Sequence, residues 1–113
     1  METTDAVPTL AALAHEGRLA VFRELVAAGP DGLAAGEVAR RVGIAPNTLS
    51  ASFTVLCHAG LVRRRREGRS IIYSAAYDRM AALLEFMMED CCHGRPEVCA
   101  AAARIAERVA RCS

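Results

Sequence analysis

Two short helix-forming segments, separated by a glycine and followed by two strand-forming segments, constrain the fold of this chain more than any other feature. The first segment covers residues 33–42, and Gly43 follows it, where a helix C-terminus favours glycine. The second begins at Pro46, which suits a first helical turn because no amide donor is needed there, and ends near Gly60. The order of these segments predicts a helix-turn-helix.

The second helix of this pair has an apolar face and a small polar face. At about 100 degrees per residue, Leu49, Phe53 and Leu56 point inward. The other side chains are short and polar, so they can bond phosphates or base edges, although Ser and Thr discriminate bases poorly. We predict that Asn47, the best candidate for reading adenine, contacts DNA together with Thr48, Ser50, Ser52 and Thr54.

An arginine-rich hairpin is predicted directly after this helix. Residues 61–66 and 69–74 contain strand formers, and Glu67-Gly68 supplies a turn between them. Five arginines lie within residues 63–69, although the formal net charge of the chain is only +1. They could simply be solvated charges that discourage edge pairing. Because they follow a helix-turn-helix, we favour contacts with DNA phosphates, made by Arg64, Arg66 and Arg69.

The segments outside the helix-turn-helix and the hairpin predict further helices, and we expect these helices to form the interface between two subunits. Residues 10–28 have the apolar spacing of one or two helices, interrupted by Gly17, and a last helix is predicted to begin at Pro96. The 113 residues are 53% apolar, which is enough for one domain over residues 1–113 with a core and a subunit interface. The residues predicted for a homodimer seam are Leu10, Leu13, Tyr77, Met80, Leu84 and Met87.

Three cysteines, Cys91, Cys92 and Cys99, lie within nine residues. Thiolates select soft metals and metalloids over magnesium or calcium, so we predict that these residues form a binding site. The alternative is apolar packing, since cysteine is commonly buried. His93 could add a fourth ligand for zinc or cadmium, but a solvated position at a helix end is favoured. Cys57 and Cys112 are interpreted as packing residues.

Other classes of protein fit the sequence less well. No secretory signal and no apolar run of about 20 residues is present, so we expect a cytoplasmic protein without a membrane partner. In a reducing compartment we do not expect the five cysteines to form a disulfide framework. Cys57 and Arg63 have the Cys-x5-Arg spacing of some phosphatases and arsenate reductases. That loop must open a helix, whereas here a helix ends, so we do not expect an enzyme.

Together these features resemble the arsenical-resistance repressors of the ArsR/SmtB winged-helix family. The stretches that carry the resemblance are AHEGRL at 14–19, IAPNTLS at 44–50, AGLV at 59–62 and REGRSIIY at 66–73. The resemblance implies a mainly α (α+β) winged helix-turn-helix with a two-stranded wing. It also implies a homodimer that binds double-stranded operator DNA. One departure is Ser50-Ala51-Ser52-Phe53, where relatives usually have a larger polar or aromatic residue and a His.

The resemblance also indicates the inducer. This chain lacks the Cys-Val-Cys motif that some arsenic sensors carry before the recognition helix, and residues 77–90 lack the His ligands of the zinc sensors. It is similar to the subgroup with a vicinal cysteine pair and a third cysteine near the C-terminus, matching Cys91, Cys92 and Cys99. This implies As(III) or Sb(III) as inducer and no catalytic cofactor. Sensing of cadmium, lead or zinc, or of thiol oxidation, remains the alternative.

Overall fold

The computed structural model describes residues 1–88 and 96–111, and over these ranges the chain is mostly helical with one small antiparallel sheet. This confirms the predicted fold class, with the hairpin placed as the wing of a helix-turn-helix. The helices are α1 (Thr3–Leu13), α2 (Glu16–Ala28), α3 (Ala35–Val42), α4 (Pro46–His58), α5 (Tyr77–Met88) and α6 (Pro96–Arg111), and the strands are β1 (Leu33–Ala34), β2 (Val62–Glu67) and β3 (Ser70–Ala75).

The break between the first two helices lies at residues 14–15 and not at Gly17, which belongs to α2. The imidazole Nδ1 of His15 accepts hydrogen bonds from the amides of Gly17 and Arg18, at 3.1 and 3.2 Å. Arg18 in turn donates from Nε to the carbonyl of Ala12 at 2.7 Å. These bonds satisfy amides at the start of α2 and a carbonyl at the end of α1, so the chain can turn before the glycine.

The helix-turn-helix formed by α3 and α4 agrees with the sequence prediction. Gly43 ends α3 in the left-handed conformation, with φ of 76 degrees, and Pro46 is at the start of α4. Leu49, Phe53 and Leu56 of α4 are buried, as their spacing predicted. An ion pair between Arg41 and Glu24, at 3.5 Å, also links α3 to α2.

The sheet has the strand order β1-β3-β2, with both pairs antiparallel. Strand β1 covers two residues that we predicted to start a helix. The hairpin turn also differs by one residue: Glu67 pairs with Ser70, so the turn residues are Gly68 and Arg69, not Glu67 and Gly68. A glycine in the first turn position is a common solution for two-residue hairpins, which accounts for this register.

The core lies where α2, α3, α4 and the sheet meet. Its buried residues are Ala12, Val21, Phe22, Leu25, Val38, Leu49, Phe53, Leu56, Leu61, Val62 and Ala75. Burial of these side chains holds α4, the candidate recognition helix, against the rest of the fold. Among the described helices, none combines the length and apolar character that crossing a membrane requires.

Candidate nucleic-acid interface

The exposed face of α4 carries most of the polar side chains predicted to contact DNA. Asn47, Thr48, Ser50 and Thr54 are exposed, whereas Ser52 is only 5% exposed. Ser52 was predicted from its polarity as a DNA contact, but it lies beside Phe53 on the inward side of the helix. Because Ser52 is buried, its hydroxyl is not accessible to DNA, and Ser52 is not part of the candidate interface.

The hydroxyl of Thr54 already has one partner within α4. It donates to the carbonyl of Ser50 at 3.0 Å, as threonine often does one helical turn back. Its oxygen can still accept a hydrogen bond, whereas its proton is engaged. Asn47, Thr48 and Ser50 therefore offer the donors on this face, and all three are in the N-terminal half of the helix, where major-groove reading is usually concentrated.

Two of the five wing arginines are held by the protein itself. Arg63 pairs with Asp78 of α5 at 2.6 Å, and this bond lowers the pKa of the Asp78 carboxyl. Arg65 donates from Nη2 to the carbonyl of Asp31 at 2.6 Å and pairs through Nε with Glu67 at 3.2 Å. These residues attach the wing to its neighbours, a role that the alternation of side chains along β2 could have indicated.

The other three arginines are available to a ligand. Arg64 and Arg69 have no hydrogen bond or ion pair to any described residue, and Arg66 donates to the nearby carbonyl of Gly68 at 3.2 Å. Arg64 lies on the opposite face of β2 from Arg63 and lines a shallow depression shared with the polar side of α4. The three wing arginines that we predicted to contact phosphates, Arg64, Arg66 and Arg69, are thus the ones without internal ion pairs.

Cys57 lies in the same depression, between α4 and the wing. It is a half-buried free thiol, and burial raises its pKa, partly offset by the positive charge of Arg64. A thiol with a raised pKa is mostly protonated at neutral pH and is a poor nucleophile. This environment agrees with the prediction that Cys57 packs against the hairpin.

Most of the predicted dimer residues line one apolar groove. The groove has a volume of about 490 Å³ and lies between α1, α2 and α5. Leu84 and Met87, which line it, are about half exposed, at 51% and 50%. Tyr77 is not in the groove, because its hydroxyl donates to the carbonyl of Val26 at 3.1 Å and its ring packs on the core. The predicted seam residues in the groove are Leu10, Leu13, Met80, Leu84 and Met87.

The predicted metalloid site falls mainly outside the described residues. Cys91 and Cys92 are not among them, and neither are His93 and Cys112. Cys99 is half-buried in the first turn of α6, and it is disulfide-bonded. Within residues 1–88 and 96–111, no group of three or more His, Cys, Asp or Glu side chains is placed to hold a metal ion.

Known proteins share this architecture. Residues 13–65 match a family described as a helix-turn-helix domain. The chain is 38% identical over 82 residues to the biofilm growth-associated repressor of Agrobacterium fabrum, a match that covers 73% of this chain and 68% of the relative. That degree of similarity over most of both chains establishes common ancestry.

Solved structures are similar over an even larger part of the chain. An ArsR-like transcriptional regulator from Rhodococcus superposes with a TM-score of 0.69 at 24% identity, covering 91% of this chain and 93% of that one. The homodimeric winged helix-turn-helix domain of a possible ArsR-family regulator from Mycobacterium bovis has a TM-score of 0.62 at 31% identity, covering 77% and 81%. With its helix-turn-helix, its arginine wing and these relatives, this chain belongs to the ArsR-type winged-helix transcriptional regulators.

Proposed function

We propose that this protein is a cytoplasmic, homodimeric repressor that binds double-stranded operator DNA and leaves it when As(III) or Sb(III) binds Cys91, Cys92 and Cys99. The observation that carries the DNA-binding part is the position of Arg64. It lies without an internal ion pair beside the exposed polar face of α4, so one surface offers both base-reading and phosphate-binding groups.

The two recognition helices of the dimer would enter successive major grooves of a pseudo-palindromic operator, about one helical turn apart. Asn47 and Ser50 would read base edges, assisted by Thr48 and Thr54. Arg64, Arg66 and Arg69 would bind phosphates on either side of the groove. Because phosphate contacts release counterions, operator affinity should fall steeply as salt is raised.

The inducer part of the proposal is supported by the chemistry of the donor set. Three thiolates are soft ligands that suit trivalent arsenic and antimony, and Cys99 is at the first turn of α6. Capture of the ion would tie the start of α6 to the end of α5, the helix that lines the apolar groove. Strain at this subunit interface would then change the spacing of the recognition helices and weaken DNA binding.

A second candidate is a repressor that responds to thiol oxidation. The disulfide bond of Cys99 favours it, because a cysteine that can form a disulfide can also act as a redox switch. Such a switch needs only two cysteines, whereas the metalloid site needs three. A further alternative is that the same cysteines bind cadmium, lead or zinc as the inducer.

Fluorescence anisotropy of the reduced protein on its own upstream promoter fragment tests both candidates. We expect release of the DNA at about one arsenite per subunit, and little release by zinc or cadmium. A hundredfold loss of operator affinity would correspond to about 2.7 kcal/mol of coupling. Release of the DNA by peroxide and not by arsenite would indicate a redox sensor. Failure to bind the promoter fragment would refute the proposal that the protein is a repressor.

Cysteine variants separate the sensing residues from the rest of the protein. Cys91→Ser, Cys92→Ser and Cys99→Ser should each bind the operator normally and lose the response to arsenite. Cys57→Ser is the matched control, because Cys57 is a free thiol distant in sequence from this cluster, and it should respond like the wild type. A response that survives in Cys99→Ser would contradict the three-sulfur site.

A further inference from the structure

A cavity of about 620 Å³ lies between α1, the C-terminal half of α4 and α5. Its volume is in the range of about 300–1,000 Å³ that small-molecule sites occupy. The lining residues are Thr4, Asp5, Pro8, Thr9, Ala11, Ala12, Arg18, Thr54, Val55, His58, Ala59 and Arg79. Apolar side chains from α1 and α4 thus form two walls, and polar groups converge between them.

Arg79 is the main charged group of this cavity. Its Nη2 donates to the hydroxyl of Thr9 at 3.2 Å, and that hydroxyl donates to the carbonyl of Asp5 at 2.8 Å. The threonine is 1% exposed, so the guanidinium is held by a buried partner. Orientation by a fixed hydrogen bond reduces the entropy that a ligand must remove when it binds this arginine.

The guanidinium of Arg79 is only partly satisfied. Its Nε is buried and has no hydrogen-bond partner among the described residues. A buried donor on a charged group without an acceptor is costly, so a ligand that brings an acceptor close to this guanidinium would offset that cost. Arg18 supplies a second positive charge to the same cavity. Its Nε donates to the carbonyl of Ala12, and its Nη2 donates to the carbonyl of Ala11.

The balance of charge in the cavity favours an anion. Two arginines face one carboxylate, that of Asp5, and this carboxylate already accepts a hydrogen bond from the amide of Glu2 at 3.2 Å. A planar guanidinium matches the two oxygens of a carboxylate. The apolar walls, which include Pro8, Val55 and Ala59, would contact the rest of such a ligand and remove part of its surface from water.

We propose that this cavity binds a small organic carboxylate, with the carboxylate on Arg79 and Arg18 and an aromatic or branched aliphatic body between α1 and α4. None of its lining residues is a cysteine, and the proposal does not depend on the proposed inducer. Thr54 and His58, which line the cavity, are also on the exposed face of the recognition helix. A ligand there would therefore contact both an interface helix and the helix that faces DNA.

Benzoate and benzamide form a matched pair of probes, because they share a shape and differ in charge. We would titrate each into the full-length reduced protein without DNA and follow the arginine Nε–H resonances and backbone amides by NMR. Benzoate should give saturable shifts at Arg79, Thr9 and Val55, and benzamide should bind at least tenfold more weakly, since a guanidinium binds a carboxylate more strongly than a neutral amide. Equal binding of the two probes would overturn the proposal.

Two variants test the assignment of the residues. Arg79→Gln should weaken benzoate binding tenfold or more, whereas Arg69→Gln, which removes an exposed wing arginine, should leave it unchanged. If Arg79→Gln does not fold, Val55→Trp provides the test, because the indole would fill the cavity from the exposed side of α4. Unchanged benzoate binding in a folded variant of either kind would refute the site. Because these titrations contain no DNA, their result does not depend on whether the protein is a repressor.

Discussion

Phe53 connects the recognition helix to the wing. Its ring is 3% exposed and stacks on Tyr73 of β3, with ring centroids 3.7 Å apart and planes 2 degrees from parallel. Phe53 is one of the positions at which this chain departs from its relatives. The ring is buried, so Phe53 packs α4 against the sheet and offers almost no surface to DNA.

Truncation of Phe53 should therefore act on stability. We expect Phe53→Ala to lower the free energy of unfolding by about 3–5 kcal/mol, because it removes a buried aromatic ring and leaves a cavity. Ser50→Ala, three residues earlier and exposed, should change it by less than about 0.5 kcal/mol. Urea denaturation followed by circular dichroism measures both, and a loss below about 1 kcal/mol for Phe53→Ala would contradict this role.

Arg64 and Arg63 are adjacent in sequence but have different roles. Arg64→Gln should weaken operator and non-operator DNA about equally and reduce the slope of log affinity against log salt by about 1, as expected for one lost phosphate contact. Arg63→Gln should leave that slope unchanged, because Arg63 pairs with Asp78. Anisotropy titrations over a range of salt concentrations distinguish them, and equal slopes for the two variants would contradict the assignment.

At the scale of elements, the short strand β1 joins the wing to the helix-turn-helix. Leu33 pairs with Tyr73 and Ala34 with Ile72, and α3 follows directly. Gly32 makes this pairing possible: it has φ of +73 degrees, and an added Cβ would lie 2.4 Å from the carbonyl oxygen of Tyr73. The backbone of this loop and the wing are therefore closer than any side chain would allow.

Two glycine variants in neighbouring elements should have opposite effects. Gly32→Ala should destabilise the protein by more than about 1 kcal/mol, because the new methyl group meets backbone atoms in a left-handed conformation. Gly36→Ala, inside α3 with open space around it, should stabilise it by about 0.4–1 kcal/mol through helix propensity and reduced unfolded-state entropy. Thermal unfolding of both variants checks the prediction, and effects of the same sign would contradict it.

At the scale of the whole molecule, the apolar groove between α1, α2 and α5 is the surface that best fits a second copy of the chain. Leu10, Leu19, Leu84 and Met87 are exposed along it, an arrangement that is unfavourable in a monomer in water. A winged helix reads a single half-site, so pairing through this groove would be needed to bind both halves of an operator.

Introducing a charge into the groove should separate the subunits. Leu84→Glu should yield a folded monomer by analytical ultracentrifugation and reduce operator affinity by tenfold or more, because burying an unpaired carboxylate is costly. Glu85→Gln, the adjacent residue outside the groove, should remain dimeric with wild-type affinity. If the Leu84→Glu variant remained dimeric, the subunit interface would not lie at this groove.

Local rules were enough to predict the order and type of most elements. Apolar spacing, Gly43 and Pro46 determined α3 and α4, and the strand formers around a glycine turn determined the wing. The alternation of residues along β2 also separates Arg64 from Arg63 and Arg65, although the DNA contacts predicted for Arg64, Arg66 and Arg69 stay a prediction. These features depend on residues close in sequence, whose propensities and spacing are sufficient to specify them.

Tertiary structure decided what depends on residues distant along the chain. Strand β1 forms because Leu33 and Ala34 meet β3, and Ser52 is buried by the turn of α4 against the core. The cavity joins Arg79 to Thr9, 70 positions apart, so no local pattern could indicate it. The sequence determined the elements and the chemical groups they carry, whereas packing decided which of those groups are buried, which are paired and which remain available to a ligand.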